Sequence, residues 1–147
     1  MFVRIEGTDL PGRRCGPNPD GAWYENVHVG IRNRQDATEL VAGDAPTAAW
    51  EVEITTRITD ENTIDFGGPY VHGKPGERCI YLDWGTVGED RRFTRVRAAK
   101  LRLDLIEASV LRTAQAGRLT GRLGLTDPKG QPRCSSVRPP DIVWSAG

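Results

Sequence analysis

Apolar side chains recur at every second position over short stretches of this chain, the period of strands buried on one face. In the run from Ala49 to Ile58, Trp50, Val52, Ile54 and Ile58 fall on one side and Glu51, Glu53, Thr55 and Arg57 on the other. The same alternation runs through Val3 and Ile5, through Val27, Val29 and Ile31, and through Ile80, Leu82 and Trp84. It returns in Leu101, Leu103 and Leu105, in Leu119, Leu123 and Leu125, and in Ile142 and Trp144. Short alternating strands of this number predict a mainly β fold, an antiparallel β-sandwich or partly open barrel with one short α-helix; α+β is the alternative. Trp50, Val52, Ile54, Leu82, Leu101, Leu103, Leu123 and Trp144 are expected to share one core.

Turn chemistry separates the runs. Asp60-Glu61-Asn62 and Gly85 to Asp90 close two strands, and in Asp127-Pro128-Lys129-Gly130 proline pre-sets one dihedral while glycine permits the next. That turn predicts a hairpin between Leu119–Leu125 and Gln131–Ser135. From Glu107 to Ala116 the apolar positions Val110, Leu111 and Ala114 make a helical stripe, and Gly117 supplies a stop. Phe93 to Leu103 carries both helical and strand spacing, and reads as a strand bent near Ala98 and Ala99. Thr8 to Glu25, with its prolines and glycines and little periodicity, reads as a long loop.

Composition sets the boundaries of function. The 147 residues, 37% hydrophobic and 27% charged, fit one soluble folded domain over residues 1–147. No apolar run reaches the length of a membrane span, and the opening Met1 to Gly7 lacks the features of a secretory signal, so the expected compartment is the cytoplasm. The three cysteines, Cys15, Cys79 and Cys134, are odd in number and far apart, and free thiols are expected. Acidic and basic residues balance at 20 each, yet residues 35–66 hold one basic and eight acidic side chains. Neighbouring strands that pair their charges would neutralise this stretch.

Chemistry concentrates between Gly67 and Gly85. A turn at Lys74-Pro75-Gly76 could fold two arms together, bringing His72 towards Tyr70, Arg78, Cys79, Tyr81 and Asp83. Histidine moves a proton near neutral pH, and arginine holds a carboxylate or phosphate through two parallel hydrogen bonds. His72, Tyr70, Arg78 and Asp83 are therefore the candidate catalytic residues. His28, placed by the alternation away from the apolar face, joins Tyr81 and the loop residues Arg13 and Arg14 as candidate ligand contacts. Metal ligation is not expected, because the histidines and cysteines lack ligand spacing, and no cofactor-binding pattern is present. Glu89, Asp90 and Asp104 flank the basic run Arg91, Arg92, Arg95, Arg97, Lys100 and Arg102, which argues against a nucleic-acid surface.

Several segments resemble a family of small bacterial proteins catalogued only as a domain of unknown function. They are Gly12 to Pro17, Asn26 to Gly30, Gly68 to Gly73, Tyr81 to Gly85, Ala99-Lys100-Leu101 and Gly121 to Asp127. The resemblance spans nearly the whole chain and implies a free-standing single-domain protein, with no activity, cofactor or catalytic residue attached. The residues themselves lead to a binding module for a small molecule or protein partner. The alternative is a cofactor-free isomerase, cyclase or hydrolase using His72 with Tyr70, Arg78 or Asp83.

Overall fold

The computed structural model describes residues 2–7, 28–42, 50–58, 64–114, 117–123 and 142–147. These residues form β1 (Phe2–Gly7), β2 (His28–Arg32), β3 (Thr38–Ala42), β4 (Trp50–Ile58), β5 (Ile64–Phe66), β6 (Cys79–Val87) and β7 (Phe93–Arg102). Helix α1 (Ala108–Ala114) and strands β8 (Arg118–Leu123) and β9 (Ile142–Ala146) follow. The strands make one sheet in the order β5-β4-β1-β8-β9 and a second in the order β3-β2-β6-β7. All neighbours are antiparallel except β1 and β8, which run parallel at the centre of the five-stranded sheet. Among the described residues the fold is mainly β and sandwich-like, with one short helix and no closure into a barrel.

Alternation accounts for the layering. Val3 and Ile5 of β1, Val52 and Ile54 of β4 and Leu119 and Leu123 of β8 turn inward from the first sheet. They share one buried cluster with Val29 and Ile31 of β2, Ile80, Leu82 and Trp84 of β6, and Ala99 and Leu101 of β7. Gly121, between Leu119 and Leu123, sits opposite Trp144, whose ring occupies the space a side chain there would need. The glycine thus lets β9 lay its tryptophan on the core, where it is half-buried. Along one face of α1, Val110, Leu111 and Ala114 pack on the same cluster, and the Gly117 amide closes the helix on the Ala114 carbonyl.

Several expectations change in detail. Leu103 lies just past β7 yet stays fully buried, because its amide is held by the Arg78 carbonyl at 2.9 Å. The chain then turns, so Leu105 is 57% exposed and Ile106 takes the buried place. The irregularity in β7 lies earlier than Ala98: Trp84 pairs with Arg97 but Gly85 with Arg95, which leaves Val96 as the extra residue of a bulge. Both edges of β8 are occupied, by β1 and by β9, and Gln131–Ser135 lies outside the described residues. Leu125, the Thr8–Glu25 loop, Cys15, Cys134 and the Trp50 side chain lie outside them too. Among the described residues no helix is long and apolar enough to cross a membrane.

The outer face of the five-stranded sheet pairs two acids of the acidic stretch, Glu51 and Glu53. Arg4 meets Glu6 and Glu51, Arg118 meets Glu53 and Arg122 meets Glu6, so acids of β4 and β1 meet arginines of β1 and β8. Trimming a fully buried core residue tests the layering. Leu103→Ala should lower the unfolding free energy in urea by about 2–5 kcal/mol, the range for a buried leucine whose site relaxes only in part. A loss below about 0.5 kcal/mol, as for an exposed position, would contradict this packing.

Candidate functional site

Asp83 is the hub of the second sheet. Along β6 the even positions Ile80, Leu82 and Trp84 face the core, so Cys79, Tyr81 and Asp83 stand on the opposite, outer face. There the Asp83 carboxylate is 0% exposed. Arg32 of β2 holds it through a fork, with Nε to Oδ2 at 3.1 Å and Nη2 to Oδ1 at 2.7 Å. Thr38 of β3 donates its hydroxyl to Oδ2 at 2.7 Å, and Nε of Arg95, from β7, lies 3.1 Å from Oδ1. One carboxylate from β6 therefore touches a side chain from each of the other three strands of its sheet.

Glycine makes this convergence possible. Gly30 pairs with Asp83 across β2 and β6, and a Cβ on it would overlap Thr38 Cγ2 and the Glu39 carbonyl. With no side chain at Gly30, Thr38 leans across β2 to reach Asp83 from two strands away. Arg32 is pushed above its ordinary range mainly by its hydrogen bond to Asp83.

Next to this network lie His72, Cys79 and Tyr81. His72 pairs with Cys79 in an isolated bridge through both backbone hydrogen bonds, 2.8 and 3.0 Å. Its ring meets Tyr81 edge-on at 5.2 Å, while the Arg32 guanidinium sits 4.4 Å from the Tyr81 ring centre. His72 Nε2–H donates to the Arg32 carbonyl at 2.9 Å, which leaves Nδ1 as the basic nitrogen of the neutral ring. Burial, and then a hydrogen bond with the Cys79 thiol, push the Tyr81 phenol above the usual tyrosine range. Cys79 is itself a buried free thiol.

The constellation expected around His72 is divided in two. His72, Tyr81, Asp83 and Cys79 come together, and Arg32, Thr38 and Arg95 join them. Arg78, one residue before Cys79, turns the other way and forms a fork with Asp65, Nε to Oδ1 at 2.9 Å and Nη2 to Oδ2 at 3.2 Å. A third group, Nη1, donates to the Gly73 carbonyl. Tyr70 bonds with Glu39, which raises its phenol above the usual range. His28 opens β2 on the same outer face as Arg32, opposite Gly85, but about 13 Å along the strand at the usual rise. Arg13 and Arg14 lie outside the described residues.

Arg78 belongs to a different feature, a cleft of about 380 Å³ lined by residues from both sheets and their connections. Its walls include Thr55 of β4, Phe66 of β5, Gly68 and Val71 of the following connection, and Arg34 from the turn after β2. That turn is built locally: the Asn33 side-chain oxygen accepts from the amides of Gln35 and Ala37, and the Arg34 amide donates to the Pro69 carbonyl at 2.8 Å. Among the described residues Arg34 has no carboxylate within ion-pair distance. A neighbouring cleft of about 390 Å³ beside Tyr70 is walled by Glu39, Glu51 and Glu53, of which Glu51 and Glu53 are paired with Arg4 and Arg118. No group of three or more histidine, cysteine or acidic side chains suited to a metal ion occurs among the described residues.

Arg32 and Arg95 are missing from the candidates that sequence reasoning supplied. The signal for Arg32 was present, since the alternation that buries Val29 and Ile31 puts Arg32 on the face of Asp83 once β2 lies beside β6. Arg95 and Thr38 carry no such signal, because a bulge and a glycine set their approach.

An open β-sandwich with a closed ionic hub on one outer face and a cleft lined by Arg34 and Arg78 is the class of protein these features define. The chain belongs to a family of unknown function, DUF5990, whose model matches residues 1–147. No curated protein and no solved structure gives a significant match.

Substituting the hub tests its role. Asp83→Asn keeps the shape but leaves two guanidinium groups facing no anion, and should cost about 3–5 kcal/mol in chemical denaturation, as for one member of a buried pair. Arg95→Ala, at a half-exposed partner, should cost about 1 kcal/mol or less. Equal, small losses for both would mean that the hub does not hold the sheet.

Proposed function

We propose that the chain is a binding module that takes a small molecule in the cleft lined by Arg34 and Arg78. The observation that carries this reading is the state of Arg34, which lines a recess of ligand size and has no carboxylate partner among the described residues. Recesses of roughly 300–1,000 Å³ with a few convergent polar groups are where small ligands bind. Arg78 supports the cleft as a strut, its fork fixed on Asp65, while Phe66 and Val71 supply apolar wall.

This reading ranks above catalysis at His72. The Asp83 carboxylate has no solvent exposure and is engaged by three side chains, so it is poorly placed to exchange a proton with a substrate. His72 retains one free ring nitrogen, beside a phenol engaged by Cys79 and a guanidinium engaged by Asp83. The free, buried Cys79 fits the expected reducing, cytoplasmic compartment.

A thermal-shift screen with small charged and neutral metabolites tests the reading. Arg34→Ala should change the unfolding free energy by less than about 0.5 kcal/mol, as exposed substitutions do, yet abolish any ligand-induced stabilisation. His72→Ala should leave that stabilisation intact. The reverse pattern, with the response lost in His72→Ala and kept in Arg34→Ala, would move the site to the outer face of the second sheet.

A further inference from the structure

The cleft offers more than room. Its two cations are in different states, and the difference bears on ligand chemistry. The fork of Arg78, Nε and Nη2, is already closed on the Asp65 carboxylate, and Nη1 is shared with Gly73, so Arg78 can contribute only single N–H groups. Arg34 keeps its whole fork among the described residues. A planar guanidinium with both parallel N–H groups available matches one carboxylate in a bidentate pair. The remaining polar groups on the wall, the Thr55 hydroxyl and the outer N–H groups of Arg78, suit neutral oxygens.

Resting on the cleft as the binding site, we infer that its ligand is a small monocarboxylic acid carrying hydroxyl or keto oxygens. Its carboxylate lies in the fork of Arg34, and its other oxygens meet Thr55 and Arg78. Among the described residues of the wall, a second carboxylate would find the one other fork occupied. Among the described residues of the wall, a phosphate, with three acceptor oxygens around a tetrahedral centre, would find a single available guanidinium and no loop of amides following the phosphate-binding pattern.

Amide chemical-shift titration at constant ionic strength tests this with four probes: lactate, succinate, inorganic phosphate and glycerol. Lactate should move the amides of Arg34, Gly67 and Gly68 and should bind more tightly than the other three. Arg34→Gln should weaken lactate at least about tenfold while leaving the rest of the spectrum in place, the effect of losing hydrogen bonds to a charged group. Arg34→Lys, which keeps the charge but loses the fork, should fall between. Tighter binding of succinate or phosphate at the same amides would overturn the single-carboxylate inference while keeping the cleft as the site. Glycerol binding as well as lactate would overturn the carboxylate. If no probe moves these amides, the cleft fails as the binding site and this inference fails with it.

Discussion

A carboxylate removed from water must be matched by cations and donors, or the fold that buries it will not persist. Asp83 imposes that condition on the second sheet. Its partners come from β2, β3 and β7, so the demand can be met only when all four strands are in register. Hydrophobic alternation decides which face of each strand is buried but tolerates a slip of two residues, since such a slip keeps every side chain on its own face. A slip of two at β2 would carry Arg32 away from Asp83. The carboxylate therefore supplies a specificity that the apolar face alone lacks.

The two outer faces handle charge differently. On the five-stranded sheet, glutamates and arginines meet in exposed pairs, each of modest worth in water. On the four-stranded sheet, charge is gathered at one buried point, and the neighbouring Arg102 is held separately by Asp104, whose carboxyl it keeps below the usual range. Three acids of the stretch 35–66 pair with arginines from elsewhere in the chain, Glu51 with Arg4, Glu53 with Arg118 and Asp65 with Arg78. Arg34 stands outside this accounting.

Much of the fold was legible in the sequence because its strands follow a strict period of two. β3 was not, for a physical reason: Leu40 points outward and is half exposed, while Glu39 points inward to bond Tyr70, which inverts the usual pattern. β5, only three residues long, is too short to show a period. The candidate site was legible in part. Closeness along the chain brought His72 to Tyr81, whose rings meet edge-on, but adjacent residues on an extended backbone face opposite ways, so Arg78 could not accompany Cys79. The cleft depends on Arg34, Thr55 and Phe66, which only tertiary structure brings together.

The parallel pairing of β1 with β8 has a consequence for how the chain reaches this structure. Phe2 lies beside Arg118, so the central ladder of the five-stranded sheet joins segments more than a hundred residues apart. Contacts of that span close large loops before they are rewarded, which slows folding. On the ribosome, β1 emerges early and can pair with β4, but its other edge stays open until β8 has been made. That interval leaves an apolar strand with an unmatched row of amides and carbonyls, a template on which another copy of the chain can pair.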